Sequence, residues 1–142
     1  VIPWRRDPSG RVEVFWVQRS TSLGYLGGWY AFPGGGISRQ DADWPLFGTP
    51  RIAVEAITNF PTYDISKVDE DIAPGIVGCA LRELFEETGL LCISRERSRR
   101  LHPGQVDEWR RRHAGGDFSI SDLLQELDDE FHAERLAFAG RW

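Results

Sequence analysis

The clearest periodic pattern in the chain lies between residues 77 and 88. At about 100° per residue on a helix, the acidic positions of this segment fall on one side and its mainly apolar positions on the other. The acidic side carries Glu83, Glu86 and Glu87, and the opposite side carries Val77, Leu81, Leu84, Phe85 and Thr88. Pro74 suits the first turn of a helix and Gly89 the position just past its end. The pattern predicts an amphipathic helix from about Pro74 or Ile76 to Thr88.

Shorter patterns on either side predict strands and further helices. Residues 11–19 are rich in β-branched and aromatic side chains and follow a turn signal, so they predict a strand that is packed on both faces. Residues 29–32 and 90–93 predict short strands, and residues 137–142 the start of another. Residues 105–113 and 119–136 predict two helices, the second capped by Ser119 or Ser121. These elements predict a mixed α/β chain of the α+β type.

The acidic side of the predicted helix is unfavourable for the helix itself. Glu83 and Glu87 are like charges at i,i+4, which destabilises an isolated helix by about 0.2–0.5 kcal/mol. They also lie near the negative C-terminal end, where anions are disfavoured. Divalent ions such as Mg²⁺ bind carboxylate oxygens and phosphates, so the cluster predicts a metal site. The alternative is a solvated acidic face, which is common on amphipathic helices.

Two motifs together resemble the signature of an enzyme family. They are the helical segment Arg82-Glu83-Leu84-Phe85-Glu86-Glu87-Thr88-Gly89-Leu90 and the upstream turn Phe32-Pro33-Gly34-Gly35-Gly36. The pair resembles the Nudix box, G-x5-E-x7-R-E-U-x-E-E-x-G-U with U aliphatic, of metal-dependent diphosphate hydrolases. Asp41 stands six residues after Gly35, where the box has Glu, but Arg82 follows much later. Residues 42–75 are therefore predicted to be an insertion inside the box, which packs on itself, forms a lid or forms an interface.

The resemblance implies a fold and a set of residue roles. The fold would be a Nudix-type mixed β-sheet sandwiched between helices, with the insertion before the catalytic helix and a helical C-terminal segment. One or more Mg²⁺ or Mn²⁺ ions would be held by Glu83, Glu86, Glu87 and a glycine carbonyl, of Gly34 or Gly35. The catalytic residues would be Glu83, Arg82 and Glu86, with Arg82 orienting the carboxylates. Substrate would be bound by Arg19, Gly35 and Gly36.

The implied reaction is hydrolysis of a diphosphate linkage in a nucleoside diphosphate joined to another group. The alternatives are a module of the same kind that binds or senses a nucleotide without cleaving it, and an acidic protein-interaction domain, which would leave the glycine run unexplained. Family members that hydrolyse coenzyme A carry a further upstream pattern, matched here at Arg19, Ser20, Gly28 and residues 32–35. Gly24 stands where that pattern has a second Arg. Coenzyme A derivatives, ADP-ribose, dinucleoside polyphosphates and damaged nucleoside triphosphates are all candidate substrates.

Composition narrows the class of protein. With 142 residues, 41% of them hydrophobic and 27% charged, the chain predicts one globular domain over residues 1–142. A net charge of -5 argues against binding to a nucleic acid polymer. No apolar run reaches the roughly 20 residues that cross a bilayer, so no membrane partner is predicted. The chain has no Met, and we expect it to be a trimmed piece of a longer protein.

The cysteines and histidines predict no further site. Cys79 and Cys92 are too few for a disulfide framework, so we expect reduced thiols in a cytoplasmic protein. His102, His113 and His132 show no ligand spacing and are predicted to lie on the surface, as is the basic run at residues 95–100. A homodimer is compatible with the sequence.

Overall fold

A computed structural model of the chain describes residues 1–49, 51–52 and 72–138. Within these ranges lie four α-helices, α1 (Ile72–Thr88), α2 (Arg95–Arg100), α3 (Pro103–Ala114) and α4 (Ile120–Leu127). The same ranges contain the strands β1 (Trp4–Arg6), β2 (Val12–Val14), β3 (Val17–Gln18), β4 (Tyr30–Ala31), β5 (Leu46–Phe47), β6 (Arg51–Ile52), β7 (Phe131–His132) and β8 (Ala137–Phe138). The α+β class is confirmed.

The described strands pair in four two-stranded ladders of mixed direction. β1 with β2 and β3 with β4 form antiparallel pairs, whereas β5 with β7 and β6 with β8 are parallel. The parallel pairs bring the segment before α1 onto the segment that follows α4. The predicted strand over residues 11–19 is split into β2 and β3, and its predicted packing on both faces is wrong because Val12, Val14 and Trp16 are exposed.

The helix boundaries follow from local capping. α1 ends at Thr88 as predicted, with Gly89 in the left-handed region at φ +76° and its amide bonded to the Phe85 carbonyl, but it begins at Ile72, before the predicted start at Pro74 or Ile76. The prediction of one helix over residues 119–136 is wrong beyond Leu127, because Asp128 takes a left-handed conformation at φ 50° and stops the helix. None of the described helices is long and apolar enough to cross a membrane.

One hydrophobic core joins α1 to α3 and α4. It contains Trp44, Leu81, Phe85, Ile93, Trp109, Phe118, Ile120, Leu123, Leu124, Leu127 and Phe131. Ile93 is fully buried in a segment without regular structure, so the predicted strand over residues 90–93 is wrong although its apolar character is explained. Trp44, in the predicted insertion, lies 5.8 Å from the Phe131 ring, so the start of the insertion packs on the domain. Residues 53–71 lie outside the described residues, and a lid or interface there stays a prediction.

A 3-10 turn, Arg39–Ala42, lies directly against α1 and fixes the approach of the chain to this helix. A Cβ added at Gly78 of α1 would overlap the backbone carbonyl of Asp41. The Asp41 side chain is fully buried and accepts two hydrogen bonds from Arg82, from Nε at 3.0 Å and from Nη2 at 3.2 Å. The guanidinium fork matches a carboxylate in this geometry. The two residues are therefore partners in space although the insertion separates them in sequence.

The protonation of Asp41 depends on this pair. Burial alone raises the pKa of the Asp41 carboxyl, but hydrogen bonds from Arg82 and from Ser38 outweigh it. The Ser38 amide donates to Asp41 Oδ2 at 2.8 Å. The net result is a pKa below the ordinary value, so the carboxylate is the stable form in the folded protein.

We expect Gly78→Ala to lower the free energy of unfolding by about 2 kcal/mol, because the new methyl group would meet backbone that cannot move aside without opening the turn. Gly75→Ala, three residues earlier in α1, is the matched control. Its Cβ would make ordinary contacts with Ile37 and Ala42 at 3.5 and 3.9 Å, and alanine is favoured in a helix. Urea unfolding of the two variants checks the prediction, which equal stability would contradict.

We expect Asp41→Asn to lower the free energy of unfolding by about 3 kcal/mol at neutral pH, because Arg82 stays mostly buried while losing a charged partner. Asp43→Asn, at an exposed position next to the same turn, is the control. Since the folded pKa of Asp41 is lowered, its stabilisation is fully present above the unfolded pKa of about 3.9 and is lost as pH falls through the lower folded value. The difference from wild type should therefore shrink in acid, and urea titrations at a series of pH values measure it.

Candidate active site

Arg82 links the 3-10 turn to the carboxylates of α1. Besides the bonds to Asp41, its Nη1 donates to Glu83 Oε1 at 2.6 Å and to Glu86 Oε2 at 3.1 Å. Its Nη2 donates to the carbonyl of Gly36 at 2.8 Å. The hydrogen bond with Asp41 and the negative charges nearby raise the pKa of Arg82 above its ordinary value. The side chain is thus a permanent cation that contacts three carboxylates and the glycine turn.

Glu83 lies against the glycine turn. Only 8% of the residue is exposed, and a Cβ added at Gly35 would overlap its carboxylate. The thiol of Cys79 donates to the Gly35 carbonyl at 3.6 Å, which ties the turn to α1 from the other side. Glycine at position 35 is therefore required by the close approach of a carboxylate, and the first half of the box meets the second here.

Glu87 approaches the same turn one helical turn further along α1. Burial and then the negative charge of Glu83 raise the pKa of the Glu87 carboxyl, and a hydrogen bond from the Gly34 amide and the charge of Arg19 oppose that shift only in part. Glu87 is an exposed residue, so solvent also stabilises its charge. The structure brings Glu83, Glu87, Gly34 and Gly35 together at the glycine turn.

Glu86 is held differently from its two neighbours. Its Oε2 accepts from Arg82, and its Oε1 lies 2.9 Å from Nε2 of His113 in α3. Its backbone carbonyl accepts two hydrogen bonds from Arg110, from Nη2 at 2.8 Å and from Nε at 3.2 Å. Both carboxylate oxygens thus already have protein partners.

No sequence pattern predicted the contacts that Arg110 and His113 of α3 make with Glu86. The prediction that His113 lies on the surface is wrong, since it is partly buried and both ring nitrogens have partners, the second being the Phe118 carbonyl at 2.7 Å. His132 is also partly buried and bonded to Glu134, at 2.7 Å, whereas His102 is exposed as predicted. His113 and Glu86 are 27 residues apart, and no local spacing signals such a contact.

Arg19 supplies positive charge beside Glu87. Its backbone pairs with Trp29 across the loop that joins β3 to β4, and its Nη2 lies 3.5 Å from the Tyr25 carbonyl. Its Nε is buried and has no hydrogen-bond partner among the described residues. A buried donor without a partner is unfavourable, so this group is suited to an anionic ligand.

The donor set fits a hard divalent ion. Glu83 and Glu87 offer oxygens at the glycine turn, and the Glu83 carboxylate takes the space that a Cβ at Gly35 would fill. Within the described part of the chain, no group of three or more His, Cys, Asp or Glu side chains could hold a metal ion. An ion here would therefore need backbone carbonyls, water or substrate phosphates to complete its coordination, which is how Mg²⁺ is commonly held.

Several curated proteins are similar to this chain. Acyl-coenzyme A diphosphatase NUDT19 of Homo sapiens is 34% identical over 111 aligned positions, which cover 64% of this chain and 29% of that protein. The protein of the same name from Xenopus laevis is 31% identical over 108 positions, with coverages of 65% and 28%. The one from Gallus gallus is 31% identical over 159 positions, with coverages of 88% and 42%.

No protein-family model and no solved structure matches the chain. The chain spans less than half the length of the curated relatives it matches. The chain belongs to the Nudix hydrolase family.

Proposed function

We propose that the chain forms the catalytic part of a divalent-metal-dependent hydrolase, which cleaves a diphosphate linkage in a nucleoside diphosphate joined to another group. The observation that carries the proposal is the position of Glu83 and Glu87 against the glycine turn, with Arg82 and Asp41 behind them. Two like charges crowded at one turn disfavour the ionised state unless a cation is near. A module that only binds a nucleotide would not need this arrangement.

In this proposal the residues at the glycine turn have different roles. Glu83 and Glu87, with the carbonyl of Gly34 or Gly35, hold Mg²⁺ or Mn²⁺, and Glu83 also orients the attacking water. The bound ion would neutralise the diphosphate, lower the pKa of a water molecule and stabilise the leaving phosphate. Arg82 keeps Glu83 in place through its 2.6 Å hydrogen bond. Gly35 leaves the carboxylate room to approach the turn.

Three other residues have supporting roles in the proposal. Arg19 donates to a substrate phosphate, which would give its buried Nε a partner. The Gly36 carbonyl, bonded to Arg82, sets the path of the turn that faces substrate. Each carboxylate oxygen of Glu86, implied as a further metal ligand, already has a protein partner, Arg82 or His113, which leaves one lone pair on each oxygen for an ion. We therefore assign it first to holding Arg82.

A coenzyme A ester is the substrate that we favour. The relatives are named acyl-coenzyme A diphosphatases, and they match between 64% and 88% of this chain. The upstream pattern of coenzyme A hydrolases is matched at Arg19, Ser20 and Gly28, with Gly24 in place of its second Arg. One Arg fewer near the phosphates should weaken binding of coenzyme A without preventing hydrolysis.

We also propose a cytoplasmic location. Both cysteines are free thiols, and burial raises the pKa of each, which keeps them in the unreactive thiol form. Unpaired thiols are the rule in a reducing compartment. A single domain over residues 1–142, with the insertion at 42–75, stays a prediction.

We expect Glu83→Gln and Glu87→Gln each to lower kcat by roughly 100-fold or more, because each removes a charged oxygen ligand while keeping the side chain's size. The assay measures hydrolysis of an acyl-coenzyme A, ADP-ribose, a dinucleoside polyphosphate and an oxidised nucleoside triphosphate with Mg²⁺, beside nucleotide binding by calorimetry. Glu96→Gln is the control, since that carboxylate is exposed and pairs only with Arg100 among the described contacts.

Three outcomes of this assay are distinct. Turnover that is lost in the two variants supports the hydrolase. Nucleotide binding by wild type without turnover of any compound would favour the non-cleaving module instead. Neither turnover nor binding would favour a protein-interaction domain, and turnover that both variants retain would remove the assigned roles.

We expect Gly35→Ala to lower kcat by about 10-fold or more with little change in the thermal midpoint, because its Cβ would displace only the flexible end of Glu83. Gly24→Ala is the control, since a Cβ there meets nothing within 4 Å. Steady-state kinetics and thermal unfolding of the two variants test this. Full activity of Gly35→Ala would show that the position of the Glu83 carboxylate is not critical.

A further inference from the structure

Glu86 contacts Arg82 within α1, and its other partners lie on α3, outside both halves of the box. We infer that Arg110 and His113 form a clamp that positions Glu86, and through it Arg82 and Glu83, for the reaction. This inference rests on the proposed hydrolase function. Neither residue touches the glycine turn in the described contacts, so both are positioning residues and not catalytic ones.

Arg110 holds the backbone of Glu86. The last four carbonyls of a helix have no partner within it, and that of Glu86 is among them because α1 ends at Thr88. Two hydrogen bonds from the Arg110 guanidinium, at 2.8 and 3.2 Å, satisfy this carbonyl. A cation at the C-terminal end of a helix also interacts favourably with the helix dipole. The end of α1 that carries the carboxylates is thereby fixed to α3.

His113 holds the side chain of the same residue. Its ring is bonded at both ends, through Nδ1 to the Phe118 carbonyl at 2.7 Å and through Nε2 to Glu86 Oε1 at 2.9 Å. The ring also packs on Phe85 of α1, with a centroid separation of 6.2 Å. A ring with both nitrogens bonded has a single orientation. Glu86 is thus held from the backbone and from the carboxylate by one helix.

The clamp acts on the position of Glu83 through the guanidinium of Arg82. Glu86 Oε2 and Glu83 Oε1 accept from the same nitrogen of Arg82, Nη1, at 3.1 and 2.6 Å. A shift of Glu86 would change the geometry available to that nitrogen and so the position of Glu83. The surface of α3 is therefore part of the machinery although no motif marks it.

The test compares three substitutions at one position. His113→Gln keeps an amide donor that reaches the place of Nε2, whereas His113→Asn reaches only the place of Nδ1, and His113→Phe keeps the packing on Phe85 without any donor. We expect Phe and Asn to lower kcat by about 10- to 100-fold with KM nearly unchanged, and Gln to retain most of kcat. Arg110→Gln should behave like the Phe variant, and Arg111→Gln, whose side chain is exposed and pairs with Glu108, is its control.

A double-mutant cycle separates positioning from general stability. In a Glu86→Gln background, His113→Phe should lower kcat little further, because the pathway through Glu86 is already broken. The same cycle applies to the thermal midpoints of wild type, the two single variants and the double variant. His113→Phe should lower the midpoint less in the Glu86→Gln background than in wild type. This readout needs no activity, so it tests the contact even if wild type hydrolyses none of the compounds.

The outcomes divide the two hypotheses. Absence of turnover in wild type would overturn the proposed function and, with it, the positioning role. Active wild type with equal kcat for the Gln, Asn and Phe variants at matched folded fraction would overturn the clamp alone. If the Phe variant fails to fold, the comparison of Gln with Asn decides, since equal kcat of those two would also overturn the clamp.

Discussion

The buried ion pair of Asp41 and Arg82 is the interaction on which the rest of the site depends. Asp41 is fully buried, so its charge must be balanced by the protein because water cannot reach it. Arg82 balances that charge with two hydrogen bonds and still has donors for Glu83 and the Gly36 carbonyl. A lysine would offer a compact charge without the planar fork, so it could not serve all these acceptors at once. The geometry of the glycine turn and of the first carboxylate therefore follows from one cation.

Glu87 differs from Asp41 and Glu83 in its surroundings, because it is exposed whereas they are buried. Glu87 is not among the partners of Arg82, and burial and then the charge of Glu83 raise the pKa of its carboxyl. A carboxylate in that condition would be stabilised by a further cation nearby. The protein thus pairs the carboxylates that it buries with Arg82, whereas Glu87 is open to solvent and, in the proposed function, to an ion and a phosphate.

The parts of the structure that could be predicted from sequence are those that depend on neighbours along the chain. The 3.6-residue period and Gly89 predicted the end of α1. Ser119, one of the two predicted caps, marks the start of α4, and the Ser119 hydroxyl accepts from the Asp122 amide at 3.1 Å. Contacts between distant segments gave no such signal. The bond from His113 to Glu86 joins α3 to α1 and depends on tertiary packing. Strands β5 and β6 were not predicted for the same reason, because they pair with partners that follow α4.

The contacts around α1 bear on the predicted insertion, because they join the turn that precedes it to the helix that follows it. Arg82 of α1 binds the Asp41 side chain, and the Asp41 carbonyl packs on Gly78 of the same helix. The turn and the helix are therefore joined by two contacts. The predicted insertion begins at the end of this turn and the chain continues into α1. Both ends of the insertion are therefore held in place by these two contacts. Loop-closure entropy rises only slowly with length, by about 0.6 kcal/mol for each doubling. A chain that holds turn and helix together by buried contacts can therefore lengthen the connection between them without moving the carboxylates.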